Sequence, residues 1–173
     1  MPLSVPSQRT WTVSDLESAA LYNSNIRDAI NFLLNPPLFV GHSAGAQSVG
    51  NNAWTALAID TNDTDTYSGH STVTNNSRYT GQVPGWYMCT ARVGWGASAT
   101  GRRGVGFALN GGTVIDLSQV FLPSMASEVL QTVYFIQLNG TGDYVEAVGF
   151  QDSGANLVTL VDDSQVQVLW IHA

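Results

Sequence analysis

Two hydrophobic rhythms divide the chain. Residues 14 to 35 contain neither glycine nor proline, and their apolar residues recur at helical spacing; from Leu38 onward the pattern changes to period two. The first segment predicts a helix. Ser14, followed three residues later by Glu17, makes a capping box, with Asp15 and Glu17 at the positive end of the helix. Asn35-Pro36-Pro37 ends it, because proline has no amide to donate and biases the residue before it away from helical angles. Within the segment Leu16, Ala19, Asn23, Ile26, Ile30 and Leu33 alternate steps of three and four. This is a heptad seam with one polar interruption. Isoleucine at both seam positions favours three strands, and Asn23 is suited to setting the register. The other reading is an amphipathic helix lying on its own sheet.

The remainder predicts an all-β domain of eight or more strands. Segments are expected near 38 to 42, 53 to 59, 71 to 80, 86 to 95, 103 to 109, 113 to 121, 129 to 138, 143 to 151, 156 to 161 and 165 to 172. The strands at 86 to 95 and 103 to 109 are expected to be antiparallel neighbours. Asn110-Gly111-Gly112 tolerates positive φ and turns the chain towards the next strand, and Asn139-Gly140-Thr141-Gly142 and Asp152-Ser153-Gly154 serve as later turns. The expected fold is mainly β: a short amino-terminal helical segment over 1–37, then an antiparallel two-sheet jelly-roll head over 38–173.

Composition narrows the function. The 173 residues suffice for one core, which hides roughly 70% of the extended chain's surface without disulfides or metal. The single Cys89 excludes an internal disulfide framework and a cysteine-based zinc cluster. Only 11% of residues are charged, all six basic residues are arginines, and the formal net charge is −7. Such a chain lacks the basic footprint of a nucleic-acid binder. There is no basic-then-apolar signal pattern and no apolar run of membrane-spanning length, so assembly in a cytoplasm is expected.

Three stretches carry a resemblance: P-G-W-Y-M-C-T-A-R-V at 84 to 93, G-R-R-G-V-G-F-A-L-N-G at 101 to 111, and G-D-Y-V-E-A at 142 to 147. They resemble the globular heads of the complement and tumour necrosis factor superfamily, with Gly85, Tyr87, Asn110, Gly111, Gly142, Asp143 and Val145 in the places of that family's pattern. The segment from Thr10 to Pro37 is similar to the opening of short appendage proteins of bacteriophages, particularly those of actinobacteria. The resemblance implies a homotrimeric, non-enzymatic virion protein on the tail tip or a fibre, presenting heads for host-surface adhesion. Its implied partners are its own copies, other virion proteins and a host glycan; a capsid-decorating version of the same trimer is the near alternative. No repeating Gly triplet forms a stalk here, so the short helix would take that part. Low charge fits such an assembly independently, because a chain this poor in charge gains by burying an apolar flank against its copies.

Other chemistry is weaker. Gly41-His42-Ser43-Ala44-Gly45 matches a hydrolase nucleophile elbow, with His172 and aspartates downstream, but Gln47 to Asn52 has no helical pattern to supply the strand-to-helix turn. The run Asp60-Thr61-Asn62-Asp63-Thr64-Asp65 offers oxygen ligands but fits no EF-hand register; it reads as a solvated turn, and no cofactor or metal is expected. His42, His70 and His172 are too scattered for a metal trio. Asp143 reads as a turn-capping carboxylate, and Arg102 and Arg103 as strand or interface residues. Trp54, Trp86 and Trp95 are expected to be buried, whereas Asp63, Asp65 and Tyr67 form a candidate surface-contact loop. A carbohydrate-binding module is the competing class.

Overall fold

In the computed structural model, residues 5–16, 18–123 and 128–173 are described. The chain is mainly β, with one short amino-terminal helical stretch and two antiparallel sheets packed face to face as a jelly roll. The strands are β1 (Leu38–His42), β2 (Ser48–Val49), β3 (Ala53–Ala56), β4 (Thr61–Asp65), β5 (Arg78–Thr80), β6 (Gly85–Trp95), β7 (Arg102–Leu109), β8 (Val120–Pro123), β9 (Glu128–Leu138), β10 (Tyr144–Gln151), β11 (Leu157–Val158) and β12 (Gln165–His172). One sheet runs β4-β1-β12-β6-β9. The other runs β3-β10-β7-β8, with β5 also paired to β10, and β2 pairs with β11 in a separate ribbon. Among the described residues no helix is long and apolar enough to cross a membrane.

Alternation places the core between the sheets. Tyr87, Cys89, Ala91, Val93 and Trp95 of β6 face Val105 and Phe107 of β7 and Val145 and Ala147 of β10, all fully or nearly fully buried. Burial pushes the Cys89 thiol well above its ordinary range, which leaves it an inert packing group.

Several expectations change. β6 and β7 are consecutive but lie in different sheets: β6 pairs with β12 and β9, whereas β7 pairs with β10 and β8. The loop between them crosses the sandwich, held by Arg103, which is buried and donates to the carbonyls of Ser98, Thr100 and Arg102. The expected strand at 113 to 121 is largely a 3₁₀ turn, Asp116–Ser118, because the buried Ser118 hydroxyl donates to the Ile115 carbonyl and accepts from the Phe107 amide. The acidic run at 61 to 65 is strand β4 rather than a turn, paired with β1.

The helix also differs from its expected form. It starts at Ala19, capped by the Ser18 hydroxyl, which accepts from the Leu21 amide at 3.3 Å. Ser14 is not the cap, and Glu17 lies outside the described residues. Asp15 closes its own turn instead, accepting from the Thr12 amide at 3.0 Å and pairing with Arg9, interactions that lower its pKa. Leu16 therefore precedes the helix. Helix α1 (Ala19–Tyr22) passes through a π segment, Asn23–Arg27, into α2 (Asp28–Leu34). The cause is local: the Asn25 carboxamide and the Ser24 hydroxyl both donate to the Leu21 carbonyl, the acceptor that the Asn25 amide would use in an α-helix.

Phe32, 7% exposed, anchors the helix by edge-on contacts with Trp170 of β12 at 4.9 Å and Tyr67 at 6.4 Å. Thr66 clamps the exit, donating to the Pro36 carbonyl and accepting from the Leu38 amide.

Candidate assembly face

The outer face of the five-stranded sheet is built by register. Leu38, Leu169, Met88 and Phe135 stand in one row across β1, β12, β6 and β9, and Val40, Gln167, Thr90 and Val133 stand in the next. Phe135 is 52% exposed and Val133 50%, with Val129 and Ile171 also exposed nearby. Trp86 stands opposite Gln137 on the same face and is 37% exposed, which corrects the expectation of burial; Trp54 is half-buried and Trp95 fully buried. The other side chains of β12, β6 and β9 on this face are Gln131, Gln137, Gln165, Gln167 and Thr90, with His172 opposite Trp86 and with Arg92, which pairs with Asp163 at 2.7 Å. Apolar rows on a sheet face whose ionisable groups are few and, for Arg92 and His42, paired with Asp163 and Asp63 at its margin have the composition of a protein interface core rather than of a solvated surface. Sequence pattern singles out only Trp86 among the exposed residues of this face. The available signal was β9, which carries apolar residues in both phases: Leu130, Ile136 and Leu138 point inward while Val129, Val133 and Phe135 point outward.

The helix presents a second apolar stripe. Beside the anchored Phe32, the side chains of Tyr22, Ile26, Ile30 and Leu33 are exposed. The π segment adds about one residue to the turn, rotating what precedes it by roughly 100°. Tyr22 therefore takes the place expected for Asn23, and Ala19 leaves the line; of the six seam residues Ile26, Ile30 and Leu33 stay together. Tyr22 also stacks on Trp11 at 6.1 Å.

The residues of the three resemblance stretches are framework. Gly85 has φ +143°, and a Cβ there would collide with the His172 carbonyl. Tyr87 is fully buried; its hydroxyl donates to the Val83 carbonyl at 2.6 Å and accepts from the Val83 amide, and burial pushes its pKa up to about 12. Tyr87→Phe is expected to cost about 1–2 kcal/mol, measured by urea unfolding, because it leaves both backbone groups of Val83 without that partner in the core. Asn110 and Gly111 both take positive φ. The Asn110 carboxamide joins two loops, donating to Asp143 at 2.8 Å and accepting from the Tyr144 amide at 2.9 Å. Asp143 also accepts from the Asn139 amide, Gly142 lies in that Asn139-capped turn, and Val145 is buried.

The expected contact loop is mostly structural too. The Asp65 carboxylate accepts from the Gly69 and His70 amides, and Tyr67 is half-buried against Phe32. Asp63 remains at the surface, paired with His42 at 3.1 Å. Asp60 accepts from the Ala44 amide. Asp60 and Asp65 are spent on loop amides and Asp63 on His42, and no metal-holding cluster occurs among the described residues. Ser43, nearly buried at the end of β1, donates to the Gly45 carbonyl at 2.6 Å, and no helix follows it. The elbow geometry is absent, and the His172 ring contacts the Ala173 carbonyl instead.

No family model matches the chain, and no curated protein matches it in sequence. Solved structures do match in fold. The globular domain of zebrafish complement 1qA protein superposes with a TM-score of 0.58 at 14% identity, over 79% of this chain and 98% of that one. Murine APRIL gives 0.59 at 12% identity over 78% and 98%. Eiger TNF from S. frugiperda gives 0.55 at 12% identity over 78% and 93%. The head is thus a complement/tumour-necrosis-factor-like jelly roll.

Proposed function

We propose that this chain is a non-enzymatic structural protein of a bacteriophage virion: a homotrimer, docked on the particle by its amino-terminal helices, whose jelly-roll heads point outward at the tail tip or a fibre and adhere to the host surface. The observation that carries the self-association is the apolar outer face of the five-stranded sheet, where Phe135, Val133, Met88 and Trp86 stand with almost no charge. Domains of this fold often form trimers, which is consistent with that face meeting its copies. The virion assignment rests on the likeness of the leading segment to phage appendage proteins. Adhesion follows from avidity: three weak contacts at fixed spacing raise the effective concentration of the second and third far above that of a free head.

Sedimentation or light scattering of the purified protein tests the assembly, and a mass of one copy at working concentration overturns it. Immunogold labelling of intact particles tests membership and place together. Label on the tail tip supports the reading, label over the capsid moves the same trimer to head decoration, and unlabelled particles refute it. The helix has its own test. Ile26→Ser with Ile30→Ser removes about 1 kcal/mol of burial per isoleucine. Summed over three copies, this is expected to raise the trimer's dissociation midpoint at least tenfold, read by mass photometry across a dilution series; an unchanged midpoint would show that the stripe has no part in assembly.

A further inference from the structure

A groove of roughly 460 Å³ opens between the turn at 68–75 and the starts of β5 and β10. Its lining differs from that of an ordinary ligand pocket, which is mostly apolar. Every lining residue is either glycine or carries a hydrogen-bonding side chain, and none is a carboxylate or an aliphatic. Arg78 is the one arginine there. Its guanidinium lies over the Tyr144 ring at 4.2 Å and touches Glu146 through Nε at 3.4 Å, while Glu146, nearly buried behind it, accepts from the Ser77 hydroxyl at 2.6 Å. Ring and carboxylate hold the guanidinium in one orientation, and its two terminal nitrogens make no hydrogen bond among the described residues. The Thr74 hydroxyl and the Asn75 carboxamide, exposed in the turn whose Asn75 carbonyl accepts from the Arg78 amide at 3.0 Å, are likewise without partners among the described residues.

The backbone of the turn is tied down by its own hydrogen bonds. Asp65 ties down the Gly69 and His70 amides, the Ser71 hydroxyl accepts from the Thr74 amide, and the His70 ring sits between the carbonyls of Arg78 and Ile59 at 2.8 and 2.9 Å. The Arg78 guanidinium, held by Tyr144 and Glu146, costs little to order on binding.

We infer that this groove binds an acidic saccharide, with the sugar's carboxylate on the terminal nitrogens of Arg78 and its hydroxyls on Thr74 and Asn75. A hydroxyl-rich ligand suits a wall of hydroxyl and amide groups, and a volume of this size holds one or two sugar rings. With Nε turned to Glu146, the two terminal nitrogens of Arg78 are left to meet a carboxylate as a fork, which selects the charged sugar over its neutral counterpart. The inference deepens the adhesion reading by naming a ligand class, but it concerns each head separately.

The test titrates the full-length protein with galacturonic acid trisaccharide and with its fully methyl-esterified form, followed by calorimetry and amide NMR shifts. The acid is expected to bind at least ~10-fold more tightly than the ester, because the ester removes a charge-assisted hydrogen bond. Arg78→Gln paired with Glu146→Gln, which avoids stranding a buried carboxylate, is expected to abolish that preference, and Thr74→Val to weaken both ligands. Equal affinity for acid and ester in the native protein, no response to either at millimolar concentration, or a preference that survives in a folded double variant overturns the inference. Displacement of the saccharide by inorganic phosphate at equal concentration would do so as well, since it would reduce the groove to a simple anion site. The acid–ester comparison on the native protein stands even if the double variant does not fold. Loss of binding with the trimer mass unchanged discards the groove alone, whereas a monomer that still binds the acid discards the assembly and keeps the groove.

Discussion

Phe135→Asp is expected to convert a three-copy particle into single, folded copies. In the isolated head Phe135 is 52% exposed, standing in one row with Met88, Leu169 and Leu38, so a carboxylate there stays in water and leaves the sandwich intact. In the proposed assembly the same carboxylate is withdrawn from water with no basic partner in its row. An uncompensated buried charge costs about 3–5 kcal/mol, and three copies together place roughly 10 kcal/mol against association. At micromolar concentration that is enough to move the distribution from trimer to monomer. Analytical ultracentrifugation reads the change in mass, and far-UV circular dichroism with a thermal scan should show a head that still folds. A variant that remains trimeric would mean that the copies meet through another surface.

Trp95→Ala is expected to produce the largest loss of stability. Trp95 ends β6, is fully buried, and its ring lies against Gly149 of β10, where a Cβ would come within 3.2 Å. Truncation leaves a cavity between two sheets whose spacing is set by the surrounding strand pairs and cannot collapse. The cost for a large buried aromatic is about 3–5 kcal/mol. For a domain of this size that corresponds to a melting temperature lower by roughly 10 °C. Trp95→Phe is expected to cost far less. It keeps most of the volume and removes the indole N–H, which is buried without a hydrogen-bond partner among the described residues. Calorimetry of both variants checks the ordering, and a larger loss for Phe than for Ala would contradict this account of the core.

What could be read in the linear chain was whatever depends on near neighbours. Period-two alternation located β1, β6, β7, β9, β10 and β12 to within about a residue, and the residues tolerant of positive φ at Asn110 and Gly111 marked a real turn. The acidic run, by contrast, reads as a turn in the sequence because a polar strand on a sheet edge has no apolar alternation to betray it. The candidate assembly face was half legible: low charge argued for a buried flank, and β9 carried apolar residues in both phases, but period two cannot tell which phase meets the opposite sheet and which meets nothing.

Sequence alone determined the class of the fold, the places of its longer strands and the end of its helix at Asn35-Pro36-Pro37, since propensity, alternation and proline stereochemistry act over a few bonds. Tertiary structure decided which sheet each strand joins, the rotation of the helical stripe by the π segment, the exposure of Trp86, and the meeting of Arg78 with Tyr144 across 66 residues of chain. Those outcomes depend on pairings and side-chain competition between segments far apart in the chain, where no local pattern carries the information.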